Sequence, residues 1–173
     1  MEAILLLLLL LASSQNIMAT EQWEIKLRSN IEGPTADQVW PYLADFCKLY
    51  IMFPSEVSFC IQGTQGKPGL IRYDVTKIPS PSDPNTSIIQ WTKEELLKID
   101  ATNKYVTYEI HENNVDVTKF IATMQVLPAG DDRGCTFKWT IVLAPIHGVT
   151  YEDFVGTLEG ILTGIKSKIE NLF

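Results

Sequence analysis

Arg72 and Glu94 are the residues of this chain whose types and spacing most directly suggest chemistry. If the runs Leu70–Thr76 and Ser87–Ile99 form a hairpin turning about Asp83, Arg72 lies opposite Glu94 on one face. Asp74 then faces Thr92, and Leu70 faces Leu96. A guanidinium and a carboxylate held together in a partly dry pocket can polarise a ligand oxygen or relay a proton. The alternative orientation turns Ile71, Tyr73, Val75 and Trp91 inward and leaves the pair as a solvated bridge worth under ~1 kcal/mol. Alternation by itself leans towards this second orientation, because that face is the more apolar one.

Other chemistries are poorly supplied. His111 and His147 stand alone, with no HExxH and no cysteine cluster, so no metal site and no cofactor are expected. No GxSxG offers a nucleophile. Gly63, Gly66 and Gly69 lie between two strand-like runs with no helix following, so they read as a hairpin turn rather than a phosphate cradle. The three cysteines, Cys47, Cys60 and Cys135, are odd in number and form no CxxC. They read as small apolar side chains, buried or half-buried, and not as a disulfide framework.

An inward-facing pair needs a scaffold, and the rest of the chain describes one. The strand-like runs are Trp23–Ile31, Glu56–Gln62, Leu70–Thr76, Ser87–Ile99, Lys104–His111, Val117–Leu127 and Cys135–Ala144. The turns between the later ones are short, which implies antiparallel hairpins. Between the first two runs, Thr35 with Gln38 forms a capping-box signature, and Val39, Trp40, Leu43, Phe46 and Leu49 suit one helix broken near Pro41, or two short ones. From Thr150 to Phe173, Phe154, Leu158, Ile161, Leu162, Ile165, Ile169 and Leu172 make one apolar helical stripe, in a helix roughly 30 Å long. Gly156, Gly160 and Gly164 form a second stripe far around it. The fold class is therefore α+β, a helix-grip: a curved seven-stranded antiparallel sheet around a long C-terminal helix, with short helices after the first strand. One helix cannot fill such a concavity, so an apolar cavity is expected between helix and sheet. Alternation nominates Tyr108, Phe120, Met124 and Trp139 as its walls on the sheet, and the helix stripe adds Phe154, Leu158, Ile161 and Ile165.

Composition sets the outer bounds. A hydrophobic share of 46% with 20% charged residues supports a real core in a single domain. The net charge of -7 argues against nucleic acid or an anionic membrane as the main partner. Ile4–Leu11 is nearly all leucine and ends in Ala12-Ser13-Ser14, too short for an integral membrane span. Residues 1–17 read as a secretory signal or, because Met18-Ala19-Thr20-Glu21 looks like an ordinary start, as an extension of the gene model. The protein is expected to be secretory if Met1 is the start and cytoplasmic if Met18 is. In either case residues 20–173 form the folded domain.

Four motifs carry a family resemblance: Trp40-Pro41-Tyr42-Leu43-Ala44-Asp45-Phe46, Gly69-Leu70-Ile71-Arg72-Tyr73, Trp91-Thr92-Lys93-Glu94-Glu95-Leu96 and Ala122-Thr123-Met124-Gln125. Over about residues 22–170 the chain resembles plant members of the Bet v 1/START-like (SRPBCC) superfamily, of the polyketide cyclase/dehydrase and lipid-transport type. Within it the chain looks most like lachrymatory-factor synthase and its relatives. The resemblance implies a helix-grip with a deep hydrophobic cavity and a functional Arg/Glu pair at Arg72 and Glu94, which turns those residues inward. It also implies a tyrosine where this chain has Phe120 and an aromatic residue where it has Ile161. Three functions follow as expectations. The first is binding or transport of a small hydrophobic plant metabolite or lipid. The second is an isomerase or cyclase with Glu94 as acid/base and Arg72 as anion stabiliser. The third is an interaction protein that docks a partner on the glycine face of the helix.

Overall fold

Short turns between alternating runs produce a meander, and only the first strand departs from it. The computed structural model describes residues 21–80, 82–83, 85–130 and 134–173; the segment 1–17 lies outside them. The elements are β1 (Trp23–Ile31), α1 (Ala36–Ala44), a 3-10 helix (Phe46–Ile51), β2 (Val57–Gln62), β3 (Ile71–Pro79), β4 (Ser87–Asp100), β5 (Tyr105–Asn113), β6 (Ile121–Pro128), β7 (Cys135–Leu143) and α2 (Tyr151–Glu170). The sheet order is β1-β7-β6-β5-β4-β3-β2, and every neighbouring pair is antiparallel. The class is the α+β helix-grip read from the sequence. Among the described residues, no helix is long and apolar enough to cross a membrane.

Local chemistry explains most boundaries. The Thr35 hydroxyl accepts the Gln38 N–H at 3.3 Å while the Gln38 side chain accepts the Thr35 N–H at 2.8 Å, a complete capping box. Of the two expected arrangements the structure has the two short helices: the first runs through Pro41 and ends at Asp45, where φ is -82° and ψ is 77°. Pro41 and the carbonyl-bearing residue a turn earlier, Asp37, are both exposed, so water can serve the carbonyl that Pro41 leaves without a donor. A strand boundary differs from expectation: the strand foreseen from Val117 begins at Ile121. Asp116 and Lys119 adopt left-handed φ values of 56° and 54°, and the Asn113 carboxamide oxygen takes the N–H groups of Val115 and Val117. Those donors are therefore satisfied without a ladder.

Two glycines are required by close approach. Gly63 has φ +89°, and a Cβ there would meet Leu70 Cα at 2.7 Å. At Gly134, with φ +125°, a Cβ would lie 2.3 Å from the Ile31 carbonyl oxygen.

The sheet's register puts Arg72 opposite Glu94 and Asp74 opposite Thr92. The more apolar neighbouring face, which alternation alone would have turned inward, is the outer one. Phe59, Tyr73 and Trp91 cover one another there, with ring centroids 5.8 Å and 5.7 Å apart. Contacts between the rings leave Tyr73 and Trp91 half-buried, with Phe59 exposed beside them, and let that face stay outside.

The cysteines also require a correction. Cys47 in the 3-10 helix and Cys60 in β2 form a disulfide, with only Cys135 free and buried. An odd count and a separation of 13 carry no information about which pair the fold brings together. On α2, Leu158, Leu162, Ile165 and Ile169 are buried. Gly156, Gly160 and Gly164 are exposed on the other side, and a Cβ on any of them would meet nothing.

Two stability changes follow. Cys60→Ala should cost about 3 kcal/mol, the loop-closure value for a ring of this size, read from urea unfolding under oxidising conditions. Replacing the three α2 glycines together by alanine should raise stability by about 1 kcal/mol per site, read from the same transitions.

Candidate functional site

Arg72 becomes a cavity residue because β3 alternates and its register with β4 is held along the whole hairpin. The cavity, of about 490 Å³, lies between the first half of α2 and the middle of the sheet. Arg72, Asp74, Thr92 and Glu94 form its polar wall. Phe53, Tyr108, Ile110, Val115, Phe120 and Trp139 form much of its apolar lining, and Thr157, Leu158 and Ile161 close it from the helix.

The polar wall is organised around one guanidinium. Arg72 is 3% exposed and Glu94 7%; Arg72 Nη2 donates to Glu94 Oε2. The Thr92 hydroxyl donates to Glu94 Oε1 at 2.9 Å, and the Ser55 hydroxyl donates to Asp74 Oδ2 at 2.8 Å. The Phe46 ring lies under the guanidinium, its centroid 4.8 Å from Cζ, in cation–π geometry. Burial works against the Arg72 charge, but the carboxylates of Glu94 and Asp74 outweigh it, so its pKa lies above the ordinary value. Tyr108 is held neutral: burial and then the Glu94 charge both push its phenol upward. Its O–H can donate a hydrogen bond, but the phenol cannot serve as a base.

Several buried polar atoms of this wall have no hydrogen-bond partner: Arg72 Nε and Nη1 and Asp74 Oδ1. Natively buried polar groups are nearly always paired. Unpaired ones beside a cavity are open to the polar groups of a ligand.

Of the side chains nominated from the sequence, Arg72, Glu94, Tyr108, Phe120, Trp139, Leu158 and Ile161 meet at this cavity. Met124, Phe154 and Ile165 do not. Met124 is fully buried in the core, opposite Trp139 on β7. Phe154 packs near the sheet edge against Trp23, ring centroids 5.9 Å apart. Ile165 lies where the helix is drawn onto the protein body. There Lys166 Nζ donates to the Asn30 carbonyl at 2.7 Å, Lys168 Nζ to the Phe53 carbonyl at 2.6 Å, and Glu170 accepts the Glu32 N–H at 2.8 Å. The apolar stripe thus divides into a cavity-facing first half and a packed second half.

The sequence placed Asp74 beside the pair, opposite Thr92, without nominating it as a site residue, and it gave no sign of Ser55. Asp74 was discoverable, because alternation puts it on the face of Arg72 two residues away; Ser55 sits in a loop with no periodic signal. A further grouping was not foreseen. Glu95, Glu109 and His111 offer ligand atoms within 4.8 Å of one another, on the sheet face opposite Glu94 and Tyr108. It is the place where the described side chains could hold a cation, and it is separate from the cavity.

The chain matches the family described as polyketide cyclase / dehydrase and lipid transport over residues 23–171. Among solved structures it is similar to the protein XoxI from Bacillus cereus, at 20% identity and TM-score 0.65, covering 87% of this chain and 94% of that one. An uncharacterised Bacillus thuringiensis protein is similar at 20% identity and TM-score 0.66, covering 87% and 98%. Ginseng major latex-like protein 151 from Panax ginseng is similar at 14% identity and TM-score 0.64, covering 84% and 96%. At these identities the likeness shows a shared fold.

The ion pair should be strongly coupled. Arg72→Leu leaves two carboxylates without their counter-charge and should destabilise the fold by about 3–5 kcal/mol, whereas Arg72→Leu with Glu94→Leu should recover much of that loss. A double-mutant cycle by urea unfolding measures the coupling.

Proposed function

The chain belongs to the polyketide cyclase/dehydrase and lipid-transport family, and from that premise we propose that it binds a small hydrophobic metabolite or lipid in its internal cavity, with Arg72 and Glu94 orienting the ligand's polar head. The observation that carries this reading is the cavity itself: about 490 Å³, walled largely by apolar side chains and bordered by a buried ion pair whose arginine has unused donors. A mostly apolar concavity with a few convergent polar groups suits binding without further chemistry.

A second reading makes the same site an isomerase or cyclase. It is favoured by the position of Glu94, a buried carboxylate bordering the cavity beside a guanidinium that stays protonated. Glu94 would take a proton from one ligand atom and return it to another, and Arg72 would stabilise the intervening anion. The resemblance to lachrymatory-factor synthase implies a tyrosine where this chain has Phe120. Here the phenol in the cavity wall is that of Tyr108, whose ring centroid lies 6.1 Å from that of Phe120. Because its pKa is raised, it could act only as a donor.

Native mass spectrometry of protein purified from its source tissue should show one small apolar molecule bound per chain. Glu94→Gln then separates the readings. In a carrier it should weaken that ligand's affinity by about tenfold, the worth of one charge-assisted hydrogen bond. In an enzyme it should abolish turnover with binding largely kept. If no small molecule is retained from source and none of a panel of apolar probes binds, the binding reading fails.

A further inference from the structure

The unspent polar atoms of the cavity wall narrow the ligand class, given the reading of that cavity as the binding site. Both oxygens of Glu94 are engaged, one by Arg72 and one by Thr92. Asp74 borders the same cavity; Ser55 occupies its Oδ2, and its Oδ1 is buried without a partner. Arg72, itself 3% exposed, has Nε and Nη1 free. The wall therefore keeps unused donors on Arg72 and an unused acceptor on Asp74. These residues are two positions apart on one face of β3, their backbones about 7 Å apart. Both side chains border the cavity and the Asp74 carboxylate acts on the Arg72 guanidinium; one oxygen can bond to both where their free atoms lean to within about 6 Å of each other.

Charge decides among ligand head groups. Within the wall one cation, Arg72, faces two carboxylates, Glu94 and Asp74, while Lys77 stands on the exposed rim. A carboxylate ligand could accept from Arg72, but it would add a third negative charge and has no proton for Asp74. An ammonium could donate to Asp74 and suits the wall's excess negative charge, but it has no acceptor and leaves the free Arg72 N–H groups unpaired. A neutral hydroxyl does both, accepting with its oxygen and donating its proton. Buried polar groups left unpaired by the wrong ligand are costly, and that cost generates selectivity.

We propose that the cavity selects neutral, hydroxyl-bearing apolar molecules, alcohols or phenols, whose oxygen accepts from Arg72 and whose O–H is donated to Asp74. Asp74 is then a specificity-determining residue and Ser55 a positioning residue that holds its carboxylate.

The test uses the whole protein at neutral pH with four probes of one size class: 2-naphthol, naphthalene, 2-naphthoate and 1-naphthylmethylammonium, titrated calorimetrically and in competition. 2-Naphthol should bind at least tenfold tighter than each of the others. Asp74→Asn should shrink its advantage over 2-naphthoate at least tenfold, and Ser55→Ala should move it the same way by less. The wild-type ranking needs no variant, so a misfolded Asp74→Asn leaves the inference testable. Equal or tighter binding of the carboxylate or the ammonium overturns it, as does an unchanged ratio in a folded Asp74→Asn protein. If naphthalene binds without any preference for the hydroxyl, this inference falls and the apolar-cavity reading stands; if no probe binds at all, both fall.

Discussion

The buried ion pair of Arg72 and Glu94 governs the interior of this protein. Arg72 is embedded between the Phe46 ring and two carboxylates, and such a charge is tolerable only while its partners hold their places. That requirement reaches well beyond the pair. The β3–β4 register must keep Glu94 opposite Arg72, and a slip of one residue would send every one of these side chains to the outer face. On the other side of β3, Cys60 is the register partner of Arg72. Its disulfide runs to Cys47, next to Phe46. The covalent link therefore ties the 3-10 helix that supplies the ring to the strand beside the guanidinium.

The cavity results from an unequal attachment of the long helix. The second half of α2 is held by Lys166, Lys168 and Glu170 to backbone groups on β1 and the residues after the 3-10 helix, and Ile165 and Ile169 are fully packed. The first half, with Leu158 and Ile161, leaves space over Tyr108, Phe120 and Trp139. Filling that space with water would leave apolar walls wetted, and filling it with side chains would strand the polar wall. An apolar ligand with a polar end satisfies both surfaces at once.

The polar wall also shows why fold and role are separate questions. The same helix-grip serves proteins only 14–20% identical to this chain, and a shared backbone says little about what a cavity holds. What this cavity offers a ligand is set by the partners around particular atoms: Glu94 engaged twice, Asp74 engaged once, and Arg72 with two nitrogens free.

Sequence alone determined most of the elements and the succession of hairpins from β2 to β7, but not the pairing of β1 with β7, because alternation, capping residues and turn glycines act over a few neighbours. The capping box at Thr35, the meander of hairpins and the pairing of Arg72 with Glu94 all follow from such local signals. Only the tertiary structure decided which face of β3 turns inward. Alternation favoured Tyr73 and Trp91, but those rings partly shield one another on the outside, so some burial was available on both faces. The Cys47–Cys60 bond, the packing of Met124 and Ile165 away from the cavity and the Ser55–Asp74 contact were likewise invisible in the sequence. Each depends on where two distant segments meet, and the order of residues along a chain does not record that distance.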